Sequence, residues 1–219
     1  MMDIVSMNIR GLGAGPKFLA LKHIFLTARP KIILIQETMH CRQSSISYFR
    51  KMFPSWYFVA IDATGLSGGL AVLWDPQWIH AKAYKCFAGI MISAIFRGNS
   101  YPINVLNTYA PYLHRYPFSE RFFSSDLCDI KSLMIAGDLN FTLSPDECWG
   151  GGRKMDPLAD LIKNHLLIKN FVDVVPTVSM PTWDNGRVGH AYIAKRIDRV
   201  IIHADIIGAM GNALFHNWQ

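Results

Sequence analysis

Residues 132–136, Ser-Leu-Met-Ile-Ala, form an apolar run that passes directly into Gly137-Asp138-Leu139-Asn140. Such a run predicts a buried β-strand, and Asp138 and Asn140 would then project from its end. Taken alone, an Asp and an Asn after a strand more often form an Asx turn. The same kind of polar strand ending recurs elsewhere in the chain, and this recurrence gives the segment its weight.

Four other predicted strands also end in side chains that suit a metal or a phosphate. They end at Asn8, at Glu37, at Tyr109 and, for the last strand, in a segment that carries Asp198. Each has an ordinary structural explanation: a turn residue, a solvated acid, a packed aromatic ring, and a surface ion pair with neighbouring arginines. Their joint occurrence indicates one site built from carboxylates, carboxamides and a phenol.

Short β-branched runs alternate with amphipathic stretches, and this pattern predicts an α/β fold. We predict strands near Ile4–Met7, Lys31–Gln36, Trp56–Ile61, Gly69–Trp74, His80–Lys85, Met91–Phe96, Ile103–Asn107, Leu133–Ala136 and Arg196–His203. We predict helices at Lys17–Ala28, Ser44–Lys51, Ser119–Lys131 and Met155–Asn164. Ser44 and Ser45 are the expected N-caps of the second helix, and Pro16 lies in the first turn of the first. The consecutive strands between residues 56 and 107 favour hairpins, and therefore two mostly antiparallel sheets covered by helices.

Composition indicates a large interior. Of the 219 residues, 51% are hydrophobic and 17% are charged, and the charged fraction lies below the roughly 25% of an average soluble domain. We therefore expect residues 1–219 to form a single domain. The longest apolar run, Phe87–Phe96, is about half of the roughly 20 residues that a membrane span requires. Met1–Asn8 lacks the pattern of a secretory signal, so we expect an intracellular protein, nuclear or cytoplasmic, with no membrane partner.

The four cysteines are widely spaced and form no Cys-x-x-Cys pattern, which favours reduced thiols over a disulfide framework or a zinc site. The net charge of +6 is compatible with a polyanionic partner or with an ordinary basic surface. Cations beside the candidate site segments could hold a phosphate backbone without reading bases. They are Arg10, Arg42, Arg153, Lys154, Lys195, Arg196 and Arg199.

A set of motifs follows in order along the chain. They are Asn8–Gly13, Gln36–Thr38, Gly65–Trp74, Asn107–Pro111, Gly137–Asn140, Pro181–Trp183 and Ile193–Arg199. In order and spacing this set resembles the endonuclease/exonuclease/phosphatase superfamily, which includes DNase I, exonuclease III and the abasic-site endonucleases. Within that superfamily the chain is most similar to the endonuclease domains of plant LINE-type (non-LTR) retrotransposons. The resemblance extends over nearly the whole sequence, and the ordered set is far more specific than any one motif.

The resemblance implies a four-layered α/β sandwich and a Mg²⁺-dependent phosphodiesterase, with Mn²⁺ as an alternative ion. Glu37 would be the main metal ligand, supported by Asn8, since Mg²⁺ takes one or two carboxylates and keeps several waters. Asp138 is similar to the carboxylate that orients and deprotonates the attacking water. Asn140 would donate to a phosphate oxygen, and Tyr109 would donate to the phosphate as its charge builds.

The same resemblance implies contacts with a DNA backbone, with no obligate protein partner. Arg10, Arg196, Thr182 and Trp183 are the expected substrate-binding residues, with Thr182 near a phosphate and Trp183 against a sugar or base. A packed tryptophan with a capping threonine is the alternative interpretation of the last two residues. The segment Gly65–Gly69 lacks the Lys-Ser/Thr of a phosphate-binding loop, so we expect a tight turn that leads into a strand.

Asp198 matches a family carboxylate that orients a histidine from a later Ser-Asp-His segment. This sequence has no such segment after Asp198, and His216 is not preceded by an aspartate and does not match. We therefore expect that the family's last strand is missing and that activity is weak or absent, because losing such a group commonly costs on the order of 10²-fold in rate.

Three functions remain open at this point. The first is an endonuclease that nicks DNA, which the resemblance and the basic flanks favour. The second is a phosphatase or phospholipid phosphodiesterase on the same fold, because a fold does not fix its substrate. The third is a non-catalytic, transposon-derived relic or a nucleic-acid-binding fragment, which the missing Asp-His pair favours.

Overall fold

A computed structural model of the chain describes residues 3–13, 15–64, 67–151 and 154–210. Within these residues the strands are β1 (Ile4–Asn8), β2 (Ile32–Gln36), β3 (Tyr57–Thr64), β4 (Ser67–Trp74), β5 (Ile79–Cys86), β6 (Gly89–Phe96), β7 (Ile103–Tyr109), β8 (Leu133–Asp138), β9 (Cys148–Gly150), β10 (Phe171–Asp173), β11 (Trp183–Asp184), β12 (Ile193–Lys195) and β13 (Asp198–His203). The helices are α1 (Gly15–Ala28), α2 (Arg42–Met52), α3 (Arg115–Phe123), α4 (Ala159–Ile168) and α5 (Asp205–Met210). Short 3₁₀ turns occupy Asp126–Asp129, Pro145–Glu147 and Gly189–Ala191.

The described strands form two large sheets and one small one. The four-stranded sheet has the order β1-β2-β4-β3, and the six-stranded sheet has the order β10-β13-β8-β7-β6-β5. Each contains one parallel pair, β1 with β2 and β7 with β8, and its other pairs are antiparallel. A three-stranded sheet, β11-β12-β9, lies apart from both. The fold class expected from the sequence, α/β with two mostly antiparallel sheets, is therefore confirmed.

Alternation along the strands sorts side chains between two kinds of layer. In β2, Ile32 and Leu34 pack in the layer between the two large sheets, whereas Ile33 and Ile35 pack against α1 and α2. Residues of β7 and β8 alternate in the same way between the inter-sheet layer and α3 with α4. This period of two is what a strand covered on both faces requires. The layers run helix, sheet, sheet, helix.

The predicted strands and helices were confirmed as elements, and most differences lie at their ends. The predicted N-caps Ser44 and Ser45 were wrong: α2 begins at Arg42, with Cys41 in the extended cap position. The helix predicted at Ser119–Lys131 begins earlier, at Arg115, and ends at Phe123 before a 3₁₀ turn. The helix predicted from Met155 begins at Ala159.

The last predicted strand, Arg196–His203, begins at Asp198; Arg196 and Ile197 are in no strand and follow the separate strand β12. Strands β9 to β12 have three residues or fewer and had no periodic signal in the sequence. Residues 65 and 66 of the expected turn, Arg153 and His216 lie outside the described residues. All four cysteines are free, as the sequence predicted. No helix among the described residues is long and apolar enough to cross a membrane.

Candidate active site

The strand ends identified from the sequence meet at one edge of the inter-sheet layer. Tyr109 is paired with Asp138 in the parallel register of β7 and β8, and Asp138 is paired in turn with Asp198 of β13. Asn8 ends β1 in the facing sheet. Each of these residues is separated by two or four positions from an apolar residue of its strand that packs in the inter-sheet layer, so alternation places their side chains on the inter-sheet face.

Glu37 reaches the same edge by a different route. It lies one residue beyond Gln36, where alternation would turn it toward the helices. Its backbone φ of 52° lies in the left-handed region, which few non-glycine residues adopt and which functional sites often contain. The altered chain direction lets the Glu37 carboxylate accept a hydrogen bond of 2.8 Å from Asn8 Nδ2.

Asn8 joins the two sheets at the site. Besides its bond to Glu37, its Nδ2 donates to Asp138 Oδ2 at 3.0 Å. Its Oδ1 accepts from the backbone N of Arg10 at 3.1 Å, which fixes which side of the amide faces the carboxylates. The Asn8 amide therefore holds one carboxylate from each sheet.

Burial raises the pKa of Asp138 well above its ordinary value, and the negative charge of Asp198 raises it further. Hydrogen bonds from Asn140 N, at 3.0 Å, and from Asn8 act in the opposite direction. Burial also raises the pKa of Asp198, with a contribution from Glu37, while a hydrogen bond with Thr182 and the charge of Arg10 partly offset the rise. Like charges in a desolvated site produce this pattern.

One carboxylate oxygen of Asp198 accepts no hydrogen bond. This atom, Oδ1, is buried and has no hydrogen-bond partner among the described residues. Thr182 Oγ1 accepts from the backbone N–H groups of Ile197 and Asp198, at 3.0 and 2.9 Å. Thr182 therefore fixes the backbone that positions Asp198, and its hydroxyl oxygen is occupied by these two hydrogen bonds.

Tyr109 is held in its protonated form. Burial raises the pKa of its phenol, and the charges of Glu37 and Asp138 raise it further, as does a hydrogen bond with Glu37. A phenol in this environment keeps its proton throughout the neutral range and is available as a donor.

Asn140 also has a positive φ, of 52°. Its side-chain Nδ2 donates to Ala110 O at 2.6 Å, and its backbone carbonyl accepts from Arg115 Nη1 at 2.6 Å. Arg115 in turn makes a two-pronged ion pair with Asp156, at 2.7 and 3.1 Å. The ion pair supports the unusual backbone of Asn140, and neither Arg115 nor Asp156 was identified from the sequence, because their pairing spans 41 residues.

Two clefts open on either side of Asp138. The first, of about 540 Å³, lies against β1 and α1 and is lined by Asn8, Arg10, Lys17 and Asp198 among others. The second, of about 840 Å³, is lined by Glu37, Tyr109 and Asn140 and by exposed apolar groups that include Tyr112, Leu113 and Met155. Asp138 and Trp183 line both clefts. Thr182 lines the first.

Both clefts carry cations in their linings. Arg10 and Lys17 lie in the first cleft, and Arg115, Lys154 and Lys195 lie in the second. Burial and the charge of Arg10 lower the pKa of Lys17, whose Nζ donates to the carbonyls of Ile9 and Arg10. Of the basic residues expected beside the site, Arg10, Lys154 and Lys195 line the two clefts, whereas Arg42 lines a separate cleft with Asp62.

The expectation that Arg196 binds substrate was wrong. Its residue exposure is 1%, and its guanidinium pairs with Glu147 at 2.8 Å and with Asp173 at 2.8 Å. Arg199 is equally buried and pairs with the same two carboxylates. Sequence proximity to Asp198 was misleading, because these arginines face the interior between β10, β13 and the 3₁₀ turn at residues 145–147, where no phosphate can reach them.

The donor set fits a hard divalent cation. No group of three or more His, Cys, Asp or Glu side chains has metal-binding geometry within the described ranges, but Mg²⁺ needs only one or two carboxylates with waters and substrate oxygens. Glu37 would supply a carboxylate, and the side chains of Asn8 and Asp138 beside it carry further oxygen atoms. Burial raises the pKa values of Asp138 and Asp198, and the charges of neighbouring carboxylates raise them further, so a divalent cation bound here would favour the ionised carboxylates.

The four layers, with two mixed sheets between helices, are those of the DNase I-like fold. A comparison with protein-family models finds no match, and a comparison with curated proteins finds none. The endonuclease domain of TRAS1, a telomere-specific non-LTR retrotransposon, is a solved structure with this fold. It is 19% identical, with a TM-score of 0.69, and the alignment covers 95% of this chain and 88% of that one.

Two further solved structures are similar to the same extent. An AP endonuclease from Archaeoglobus fulgidus is 17% identical with a TM-score of 0.69, over 94% of this chain and 88% of that one. The 3′ phosphatase NExo from Neisseria, bound to a product DNA hairpin, is 17% identical with a TM-score of 0.68 over the same shares of the two chains. At these identities the likeness is one of fold.

Proposed function

We propose that this chain is a divalent-metal-dependent phosphodiesterase that hydrolyses a DNA backbone, in the manner of an endonuclease that nicks one strand. The observation that carries the proposal is the meeting of Asn8, Glu37, Asp138 and Asp198 at one edge, between two clefts that each carry cations. The DNase I-like fold supports it, since three similar structures are, by their descriptions, an endonuclease domain, an AP endonuclease and a DNA 3′ phosphatase.

Glu37 and Asn8 would hold Mg²⁺, or Mn²⁺ in its place, with Glu37 as the charged ligand. Once bound, the ion would supply Lewis acidity at a phosphate oxygen and at the departing 3′ oxygen. Asn8 also keeps Glu37 and Asp138 a fixed distance apart, because one amide nitrogen donates to both.

Asp138 would orient the attacking water and accept its proton as the water oxygen bonds to phosphorus. The backbone N of Asn140 and the amide of Asn8 fix both of its oxygens, so the carboxylate has one orientation. Its burial disfavours the ionised form, which makes it a stronger base than an exposed aspartate. The Asn140 amide and the protonated Tyr109 phenol would donate to the phosphate as charge builds on it.

Asp198 would position a histidine or an equivalent donor. Its buried Oδ1 lacks a partner within the described part of the chain, as the resemblance to the superfamily leads us to expect of a carboxylate that orients an imidazole. A protein consisting of residues 1–219 is therefore expected to hydrolyse DNA slowly, because the sequence contains no Ser-Asp-His segment after Asp198.

The DNA backbone would cross both clefts. Arg10 on one side of Asp138 and Lys154 with Lys195 on the other are placed to neutralise successive phosphates. Trp183 lines both clefts and would lie against a sugar or base at their junction. The two sheets share one packed layer, which supports the proposal that the chain is a single domain.

Nicking of supercoiled plasmid by the purified chain tests this function. We expect open-circular product with Mg²⁺ and none with EDTA, and a loss on the order of 10²-fold or more in Glu37→Ala and Asp138→Ala. Asp126→Ala, which removes an exposed carboxylate of the 3₁₀ turn after α3, is the matched control and should nick like the unaltered chain.

Nicking that survives both site variants would contradict the proposal. Hydrolysis of an inositol phosphate or a lipid head group with none of DNA would assign the site to a different phosphoester. A folded chain that hydrolyses neither substrate and binds no metal would make it a relic.

A further inference from the structure

Two polar side chains lie in the apolar layer between the large sheets, directly beneath the candidate site. Gln36 of β2 and Asn107 of β7 are each 0% exposed. Both occupy inward-facing positions, the former two residues after Leu34 and the latter two residues after Val105. The proposed chemistry uses neither, although both begin motifs that the sequence singled out.

Asn107 reaches from the six-stranded sheet into the four-stranded one. Its Nδ2 donates to Ile35 O of β2 and to Ala71 O of β4, both at 3.0 Å. With both amide hydrogens committed to carbonyls, its Oδ1 must serve as an acceptor. Gln36 Nε2 donates to that oxygen at 2.6 Å. The orientation of the pair is therefore set by the backbone of two strands.

The Gln36 amide also contacts two further strands that supply site residues, β1 and β8. Its Nε2 donates to Ser6 Oγ of β1 at 3.1 Å. Gly137 of β8 lies against it, because a Cβ at this position would be 3.3 Å from Gln36 Nε2 and 2.0 Å from Thr108 O. The absence of a side chain at residue 137 is what allows β8 to approach both.

Each of the four residues in these contacts lies one or two positions before a candidate site residue. Ser6 precedes Asn8, Gln36 precedes Glu37, Asn107 precedes Tyr109 and Gly137 precedes Asp138. We propose that the Gln36–Asn107 amide pair is the positioning element of the site, which fixes the separation of the two sheets at the edge where they hold metal and substrate. This inference rests on the proposed function for the presence of a metal, but the hydrogen bonds from which it is argued do not depend on that function.

Stability alone gives a poor reason for the pair. Gln36 Oε1 is buried and has no hydrogen-bond partner in the described chain, and such a group costs free energy that an apolar residue of the same size would not. Apolar side chains in this layer would also allow the two sheets to shift relative to each other, whereas directional hydrogen bonds specify one arrangement of the sheets. A buried polar pair whose benefit is geometric suits a site built from two sheets.

The experiment compares Gln36→Met and Asn107→Leu with Thr108→Val. The control removes a buried hydrogen bond of 2.6 Å, from Thr108 Oγ1 to Ala88 O, on the opposite face of β7 and within its own sheet. Thermal unfolding shows whether the three variants lose comparable stability. Mn²⁺ affinity is measured by calorimetry, and the separation of Asn8 Nδ2 from Asp138 Oδ2, 3.0 Å here, is measured in crystal structures of the variants.

We expect Mn²⁺ to bind about tenfold more weakly to Gln36→Met and Asn107→Leu, the usual effect of losing an outer partner of a metal ligand, and normally to Thr108→Val. The Asn8–Asp138 hydrogen bond should be broken in the first two only. Equal Mn²⁺ affinity in all three with an unchanged Asn8–Asp138 separation would overturn the inference.

If the unaltered chain binds no Mn²⁺, the proposed metal site fails, and the Asn8–Asp138 separation alone then decides the inference. If Gln36→Met or Asn107→Leu prevents folding, Ser6→Ala removes one of the contacts of Gln36 with little change in volume. It should lengthen the same separation, and an unchanged separation in Ser6→Ala would count against the pair as a positioning element.

Discussion

At the scale of single residues, Asp198 carries an electrostatic conflict. Its Oδ1 is buried and lacks a partner among the described residues, and both Glu37 and Asp138 interact unfavourably with its charge. Arg10 offsets only part of this repulsion. The metal-free site therefore stores unfavourable free energy that a bound cation or a protonated partner would relieve.

Replacing Asp198 by Asn should stabilise the metal-free protein and impair its chemistry. The neutral amide keeps the size of the side chain and removes one of three crowded charges, so we expect a gain on the order of 1 kcal/mol, or a Tm roughly 2–4 °C higher. Circular dichroism in EDTA measures the Tm. Nicking should fall on the order of 10²-fold in the same variant. A lower Tm for Asp198→Asn, with Asp126→Asn unchanged, would show that the charge is not in conflict.

The residues of the site could be predicted from the sequence, but their neighbours could not. Asn8, Tyr109 and Asp138 end strands with a period of two and Asp198 begins one, and this local pattern is visible in the chain. Arg196 resembled them by position, yet it is buried because Glu147 and Asp173, far away in sequence, fold over it. Contacts between distant residues leave no periodic signal, and a single sequence does not show them.

At the scale of elements, α3 supports the site from outside. Its first residue, Arg115, reaches the carbonyl of Asn140 and pairs with Asp156, whose side chain is 4% exposed. Asp156 also accepts hydrogen bonds from Thr142 N and Leu158 N. The start of α3 thus ties together the loop after β8 and the turn before α4.

Arg115→Met should therefore destabilise the chain and weaken catalysis together. A hydrogen-bonded ion pair with one buried partner is lost, which costs about 2–3 kcal/mol in the free energy of unfolding. The double variant Arg115→Met/Asp156→Leu should recover part of that stability, because no unpaired carboxylate remains, yet its nicking rate should stay low since Asn140 has lost its support. Urea denaturation and plasmid nicking measure the two effects. Full recovery of nicking in the double variant would contradict a positioning role for Arg115.

Elements with a strong period were predicted well, and those without one were not. The eight-residue strands β3 to β6 carry a strong β-branched, apolar or alternating pattern, and they pair in sequence order as β3 with β4 and β5 with β6. The helix expected to reach Lys131 stops at Phe123 because Ser124 and Ser125 bond back to the last turn: both backbone N–H groups, and the Ser125 hydroxyl, donate to its carbonyls. Such local side-chain bonding competes with helix propagation. Its outcome depends on packing that the sequence pattern does not express.

At the scale of the whole molecule, the largest concentration of buried charge lies behind the site. Glu147, Asp173, Arg196 and Arg199 pair with one another between β10, β13 and the turn at residues 145–147. Burial alone would raise the pKa of Glu147, but hydrogen bonds and the charge of Arg199, with help from Arg196, hold it below its ordinary value. The network fastens the segment that follows β8 to the strand that carries Asp198.

This network makes the fold sensitive to acid. Because the folded pKa of Glu147 is lowered, its contribution to stability is complete above the unfolded value of about 4.3 and is lost as pH falls through the folded value. Glu147→Gln should cost about 3–5 kcal/mol at pH 7, since two buried arginines each lose one of their two carboxylate partners. The same change should flatten the decline in stability below about pH 5. Urea denaturation across pH 3–7 measures both, with the exposed Asp129→Asn as the control that should leave the acid decline unchanged.

Gly137 lies so close to β7 that a Cβ at this position would meet the backbone oxygen of Thr108 at 2.0 Å, and this has a consequence for how the site could be lost. A single added methyl group would displace β8, the strand that ends at Asp138, while leaving every acid, amide and phenol of the site in the sequence. Such a chain would lose its chemistry through its interior, with no reactive residue changed. The presence of the reactive residues alone is therefore a poor test of competence in a related sequence, and the residue at position 137 should be checked with them.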